Sequence, residues 1–162
     1  MINKILIKKI EEMADVDQKT RKLWLKRKDK DFLQSIVYCL DIANNYLINK
    51  IIKEDGFPNE KSMGVKALKK FWILVQHQDM DVELQKKCLE NCGFGLKEKA
   101  YLMDRILVGE GKKQIYGTQF YKNKEGMLVP RPIKDIKNID KLRKSCNLEA
   151  FSKYFQKMSK FK

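Results

Sequence analysis

His77 is the only histidine of the chain; it closes the apolar stretch FWILVQH and is followed by Asp79 and Asp81. Imidazole is the side chain whose ordinary titration lies nearest neutrality. A buried carboxylate bonded to one ring nitrogen fixes its tautomer and makes the other nitrogen a better base. Asp104, in YLMDR, faces inward on its own helix and is the carboxylate expected to orient His77. Arg105 beside it has the planar fork that grips an anionic group through two bonds. Asp41 and Asn44, one helical turn apart, can aim a carboxylate and an amide at one point, and Gln76 precedes the histidine. Tyr116, Thr118 and Gln119, in YGTQ, add two hydroxyls and an amide beside a flexible glycine. The chemistry these groups suit is metal-independent acid–base work: His77 as base or acid, Asp104 orienting it, Arg105 holding negative charge. Hydrolysis, group transfer or lyase chemistry would all fit.

Each group also has a structural reading. A histidine is favoured at a helix C-terminus, and Arg105 can pair internally with Asp104 or Asp41. Asp41 and Asn44, costly if buried unpaired, can be met by Gln76, Arg105 and a buried water instead of a ligand. In YGTQ, an ordinary bulge needs only Gly117.

The elements that must position these residues are mostly helical. Residues 2 to about 29 read as a helix with a basic second half, KTRKLWLKRKDK. A second helix starts at Asp31 and is stopped by Gly56 and Pro58. On it Ile36, Val37, Leu40, Ala43, Leu47, Ile48, Ile51 and Ile52 form one broad apolar arc that includes Asn44, with Asp41 near its edge. A third helix, about Val65 to Gln78, is apolar nearly all round and so central. Asp79 or Asp81 caps a fourth, ended by GFG; a fifth, LKEKAYLMDRILVGEG, carries Asp104 in its apolar arc. Residues 112–133 alternate around an NKEG turn and predict a β-hairpin. Two modest helices follow, and 155–162 reads as a basic tail. The fold class expected is mainly α: a single domain over 1–162, an irregular helical bundle with a small C-terminal β-hairpin.

The 162 residues carry a net charge of +14, but 30 of the 35 basic residues are lysine and they lack the arginine and aromatic interleaving of single-strand binders. A solvated lysine coat is the expectation and a nucleic-acid partner is not. No stretch of about 18 apolar residues suggests a membrane span. The four cysteines have no disulfide-framework spacing, which fits reduced thiols and a cytoplasmic setting. Cys88 and Cys92 stand four apart rather than in C-x-x-C, and one histidine with carboxylates is a poor zinc set, so no metal is expected. Phosphate loops and G-x-S-x-G are missing, so no cofactor is expected either.

The ordered set D-Q-x-x-R (Asp17 to Arg21), D-x-x-N (Asp41 to Asn44), G-F-P (Gly56 to Pro58), L-V-Q-H-x-D (Leu74 to Asp79), Y-L-x-D-R (Tyr101 to Arg105), E-G-x-x-Q-x-Y-G-T-Q (Glu110 to Gln119) and P-x-P-I (Pro130 to Ile133) resembles a bacterial domain family of unknown function. The resemblance runs from about Asp17 to Tyr154. It implies that these polar positions are the family's hallmark and supplies no substrate. The expected function is binding of a small polar or anionic ligand between the second, third and fifth helices, with or without catalysis. The alternative is a noncatalytic adaptor or immunity-type protein that meets an acidic protein partner through its basic surface.

Overall fold

A computed structural model describes residues 3–27 and 31–160; Lys28 to Lys30, the end of the basic stretch, lie outside the described residues. The elements are α1 (Lys4–Lys26), α2 (Asp31–Asp55), α3 (Glu60–Gln76), α4 (Val82–Asn91), α5 (Leu96–Gly109), β1 (Phe120–Lys122), β2 (Leu128–Pro130), α6 (Ile139–Ser145) and α7 (Phe151–Met158). The fold is mainly helical with one small antiparallel hairpin near the C-terminus. The chain, read from sequence as one domain, groups into two compact units, Met1–Phe94 and Gly95–Lys162. Among the described residues no helix is long and apolar enough to cross a membrane.

In the first unit α1 and α2 are antiparallel: the Asn3 amide donates to Asp55 at the far end of α2, while Arg21 reaches Asp41. Helix α3 runs parallel to α1, since Lys66 pairs with Glu11 and Lys70 with Asp15. The stripe Leu6, Ile10 and Ala14 of α1 is buried, as are Val37, Ile48 and Ile51 of α2 and Leu68, Phe71, Leu74 and Val75 of α3. Each large side chain removed from water in this way contributes about 1.5–3 kcal/mol before entropy is counted. The arc expected on α2 is therefore narrower than read: Ile36 and Ala43 are exposed.

Helix α3 begins five residues earlier than its apolar pattern predicts. Asn59 accepts from Ser62 N while the Ser62 hydroxyl accepts from Asn59 N, a reciprocal cap, and the helix is broken at Gly64. At its other end His77 is the C-cap. Asp81 caps α4 by accepting from Leu84 N at 2.9 Å, and its second oxygen accepts from Asn45 of α2. Gln85, fully buried on α4, donates to the carbonyls of Val75 and Gln76 and so holds the last turn of α3.

In the second unit the strands are shorter than the expected 112–133 hairpin: Phe120 pairs with Pro130 and Lys122 with Leu128. Asn123 turns the chain as read, accepting from Gly126 N and, through its side chain, from Met127 N. Residues 114–119 do not form a strand. They wrap a buried carboxylate on α5, described below.

Candidate functional site

Asp17 continues the buried stripe of α1, three residues beyond Ala14, and is 1% exposed. A carboxylate there must be met by donors, and three arrive. Gln18 donates to Oδ2 at 2.9 Å, and Arg21, one turn on, donates from Nε to Oδ1 at 3.0 Å. His77, brought in by the C-terminus of α3, places Nδ1 2.9 Å from Oδ2. The pair makes no hydrogen bond of good geometry, so this contact is more electrostatic than a linear hydrogen bond. Arg21 also reaches Asp41 of α2 through Nη2. One guanidinium thus bridges two carboxylates, and one of these faces the imidazole.

The two carboxyls are pushed in opposite directions. Burial alone would raise Asp17, but His77, Gln18 and Arg21 together outweigh it and hold Asp17 below its ordinary value. For Asp41 burial wins over the Arg21 charge, with the Asp17 charge adding to it, and the carboxyl lies above its ordinary value. With a neutral imidazole the four groups sum to one negative charge when both carboxyls are ionised; with an imidazolium they sum to zero. Arg21 is committed to its two partners and presents no spare cation.

The ring of His77 keeps 15% exposure, and Nδ1 is the ring nitrogen turned to Asp17. Asn44, one turn from Asp41, is buried, and its Nδ2 has no partner among the described residues. The antiparallel register puts it level with Asp17: Asn3 matches Asp55 and Arg21 matches Asp41, so moving down α1 from Arg21 to Asp17 moves up α2 by about one turn. Gln76 is half-buried, and its backbone carbonyl accepts from Gln85.

The expected pairing of His77 with Asp104 is not what the structure shows: the partner of His77 is Asp17. Asp104 is fully buried in the second unit, and both its oxygens are occupied. Oδ1 accepts from Ile115 N at 2.7 Å and Tyr116 N at 2.9 Å; Oδ2 accepts from Thr118 N and from the Thr118 hydroxyl, both at 3.0 Å. The YGTQ segment is therefore a loop wound around a carboxylate. Gln119 donates its amide to the Thr118 hydroxyl, and Gln114, fully buried, ties the loop on by accepting from Gln119 N and donating to the carbonyls of Gln119 and Arg131. Gly117, at φ +68°, lies where a Cβ would fall 2.6 Å from the Phe151 ring, so it serves close packing rather than flexibility. The Tyr116 phenol is pushed up to about 12 by burial, by Cys146 and by the Asp104 charge, and stays protonated. Arg105 is half-buried on α5.

Asp17, Arg21 and Arg143 lie outside the candidate site residues read from sequence, the first two entering only through D-Q-x-x-R. Asp17 could have been found, because it falls on the same helical face as Leu6, Ile10 and Ala14. Arg143 could not: it is fully buried, donates to the carbonyls of Glu149 and Tyr116, and lies 4.8 Å from the Tyr154 ring centre. Nothing around it in sequence marks it as different from the exposed lysines beside it.

A family model described as a family of unknown function (DUF6624) matches residues 5–160. No curated protein and no solved structure matches the chain.

Proposed function

Since the chain belongs to this family of unknown function, we propose that its first unit binds a small polar molecule at His77, with the imidazole as acid–base group and Asp17 as its orienting carboxylate. The observation that carries this is the Asp17–His77 contact: an almost fully buried carboxylate against one ring nitrogen of a partly exposed imidazole. Such a carboxylate favours the proton on Nδ1, leaving Nε2 to accept or donate toward a ligand. Arg21 locks Asp17 in place, and Asn44 offers an unused donor level with it. Because Arg21 is already shared by two carboxylates, an uncharged polar ligand suits the cluster better than an anionic one. An anion would have to rely on the imidazolium alone.

Asp104, Tyr116, Thr118 and Gln119 take no direct part in this reading; their hydrogen bonds explain their residue types without a ligand. The test uses the fact that there is a single imidazole to observe. A 1H–13C spectrum of the His77 ring, titrated with neutral amides, polyols, carboxylates and phosphates, should shift saturably with one of the neutral classes. The shift should vanish in Asp17→Asn while the fold persists. If no class moves the ring signals, or if the ring responds only to pH, the cluster is architectural and the reading fails.

A further inference from the structure

Helix α2 has two apolar faces, and only one of them is used by the core. Opposite Val37, Ile48 and Ile51 stand Phe32 at 69% exposure, Ile36, Cys39, Ile42, Ala43 and Tyr46 at 68%. From Phe32 to Asn49 the only charged residue is Asp41, which turns inward to Arg21, in a chain that is 35% charged. The lysine coat is interrupted here, and a purely solvated helix face would have no reason to interrupt it.

The order of side chains along this face reads the same in both directions from Cys39. Three residues either side stand Ile36 and Ile42, four either side the small residues Ser35 and Ala43, and seven either side the aromatics Phe32 and Tyr46. The Ser35 hydroxyl is turned back onto the Asp31 carbonyl, so it adds no unmet polar group. Two antiparallel copies of α2 related by a two-fold axis through Cys39 would place each isoleucine opposite the other isoleucine and each Phe32 opposite a Tyr46. Small residues at the crossing allow the axes to approach to about 8 Å. We infer that this face is a self-association surface and that its occupant is a second copy of the chain, paired through α2 about Cys39.

Charge and area both favour that occupant. For a chain of net charge +14, another copy can approach only where lysine is absent, as it is here. The antiparallel arrangement also brings Asp31, in the first turn of one α2, within a turn of Lys50 near the end of the other, and opposes the two helix dipoles. Scaling about 150–250 Å² per aromatic side chain by the observed exposures, and adding the aliphatic residues, gives roughly 500 Å² per copy. A total of about 1,000 Å² is at the lower bound for specific interfaces, the range of weak or transient pairs. This inference is independent of the His77 site, because the two faces of α2 are opposite.

Sedimentation of the full chain across the micromolar range tests it. The expected result is a monomer–dimer equilibrium. Ile36→Lys and Ile42→Glu should each abolish it, with circular dichroism unchanged because both positions are exposed. The double variant should restore it, since each introduced cation then faces an introduced anion across the axis. A short bis-maleimide should link copies through Cys39, the exposed thiol among three buried ones, and Cys39→Ala should remove the link while leaving the dimer intact. A mass that stays monomeric at all concentrations overturns the inference. So does a dimer that survives both single variants, or one that the double variant fails to restore.

Discussion

Replacing Asp17 by Asn keeps the volume and removes the charge, and it should be among the most damaging isosteric changes in the first unit. The carboxylate is 1% exposed and is met by Arg21, Gln18 and His77. Removing one partner of a buried ion pair costs about 3–5 kcal/mol because the other charge is left uncompensated. Arg21 keeps Asp41 and some solvent, which favours the lower end, about 3 kcal/mol. At about 2–4 °C per kcal/mol for a chain of this size, the midpoint should fall by about 10 °C. Both tryptophans, Trp24 and Trp72, lie in the first unit, so their fluorescence during urea unfolding reads this unit selectively. The deficit should also depend on pH. Since Asp17 has a lowered pKa in the folded state, its stabilisation is complete above the unfolded value of about 4 and is lost as pH falls through the lower, folded value. The native chain and Asp17→Asn should therefore differ fully at pH 7 and converge in strong acid. A deficit below about 1 kcal/mol at pH 7, or one that does not shrink on acidification, would refute the reasoning.

Asp41→Asn should cost much less than Asp17→Asn at pH 7, because the raised pKa of Asp41 means that its ionisation works against folding as pH rises through that value; equal losses in urea melts would contradict this. Asp104→Asn should destabilise the second unit by about 2–4 kcal/mol, since an amide nitrogen would face donors that now converge on a carboxylate. Amide hydrogen exchange at Ile115, Tyr116 and Thr118 should accelerate, and unchanged protection there would count against the cradle. Gly117→Ala combines a left-handed backbone with contact against Phe151 and Ile139. It should lower the midpoint by several degrees, detectable by calorimetry, while leaving His77 ring signals in place.

Helix positions and many of their ends were readable because capping and periodicity are local. Gly56, Asp81 and the NKEG turn act within a few residues of themselves, and the inward direction of Asn44 and Asp104 follows from 100° per residue alone. The start of α3 is not legible in the apolar pattern, because the Asn59–Ser62 cap precedes the first apolar residues of the regular repeat. The hairpin is shorter than its pattern predicts because residues 112–119 look like a strand, whereas Asp104 draws the backbone N–H groups of Ile115, Tyr116 and Thr118 into a loop. That carboxylate acts from outside the segment.

Sequence by itself determined that this is a mainly helical chain with polar groups turned inward on several helices, because the direction of a side chain around its own axis depends only on its position in the repeat. Which polar group meets which was decided by tertiary structure. His77 lies against Asp17 and Asp104 against the YGTQ backbone because the crossing of α1, α2 and α3 and the path of the loop after α5 fix distances between residues far apart in the chain. No local rule carries those distances.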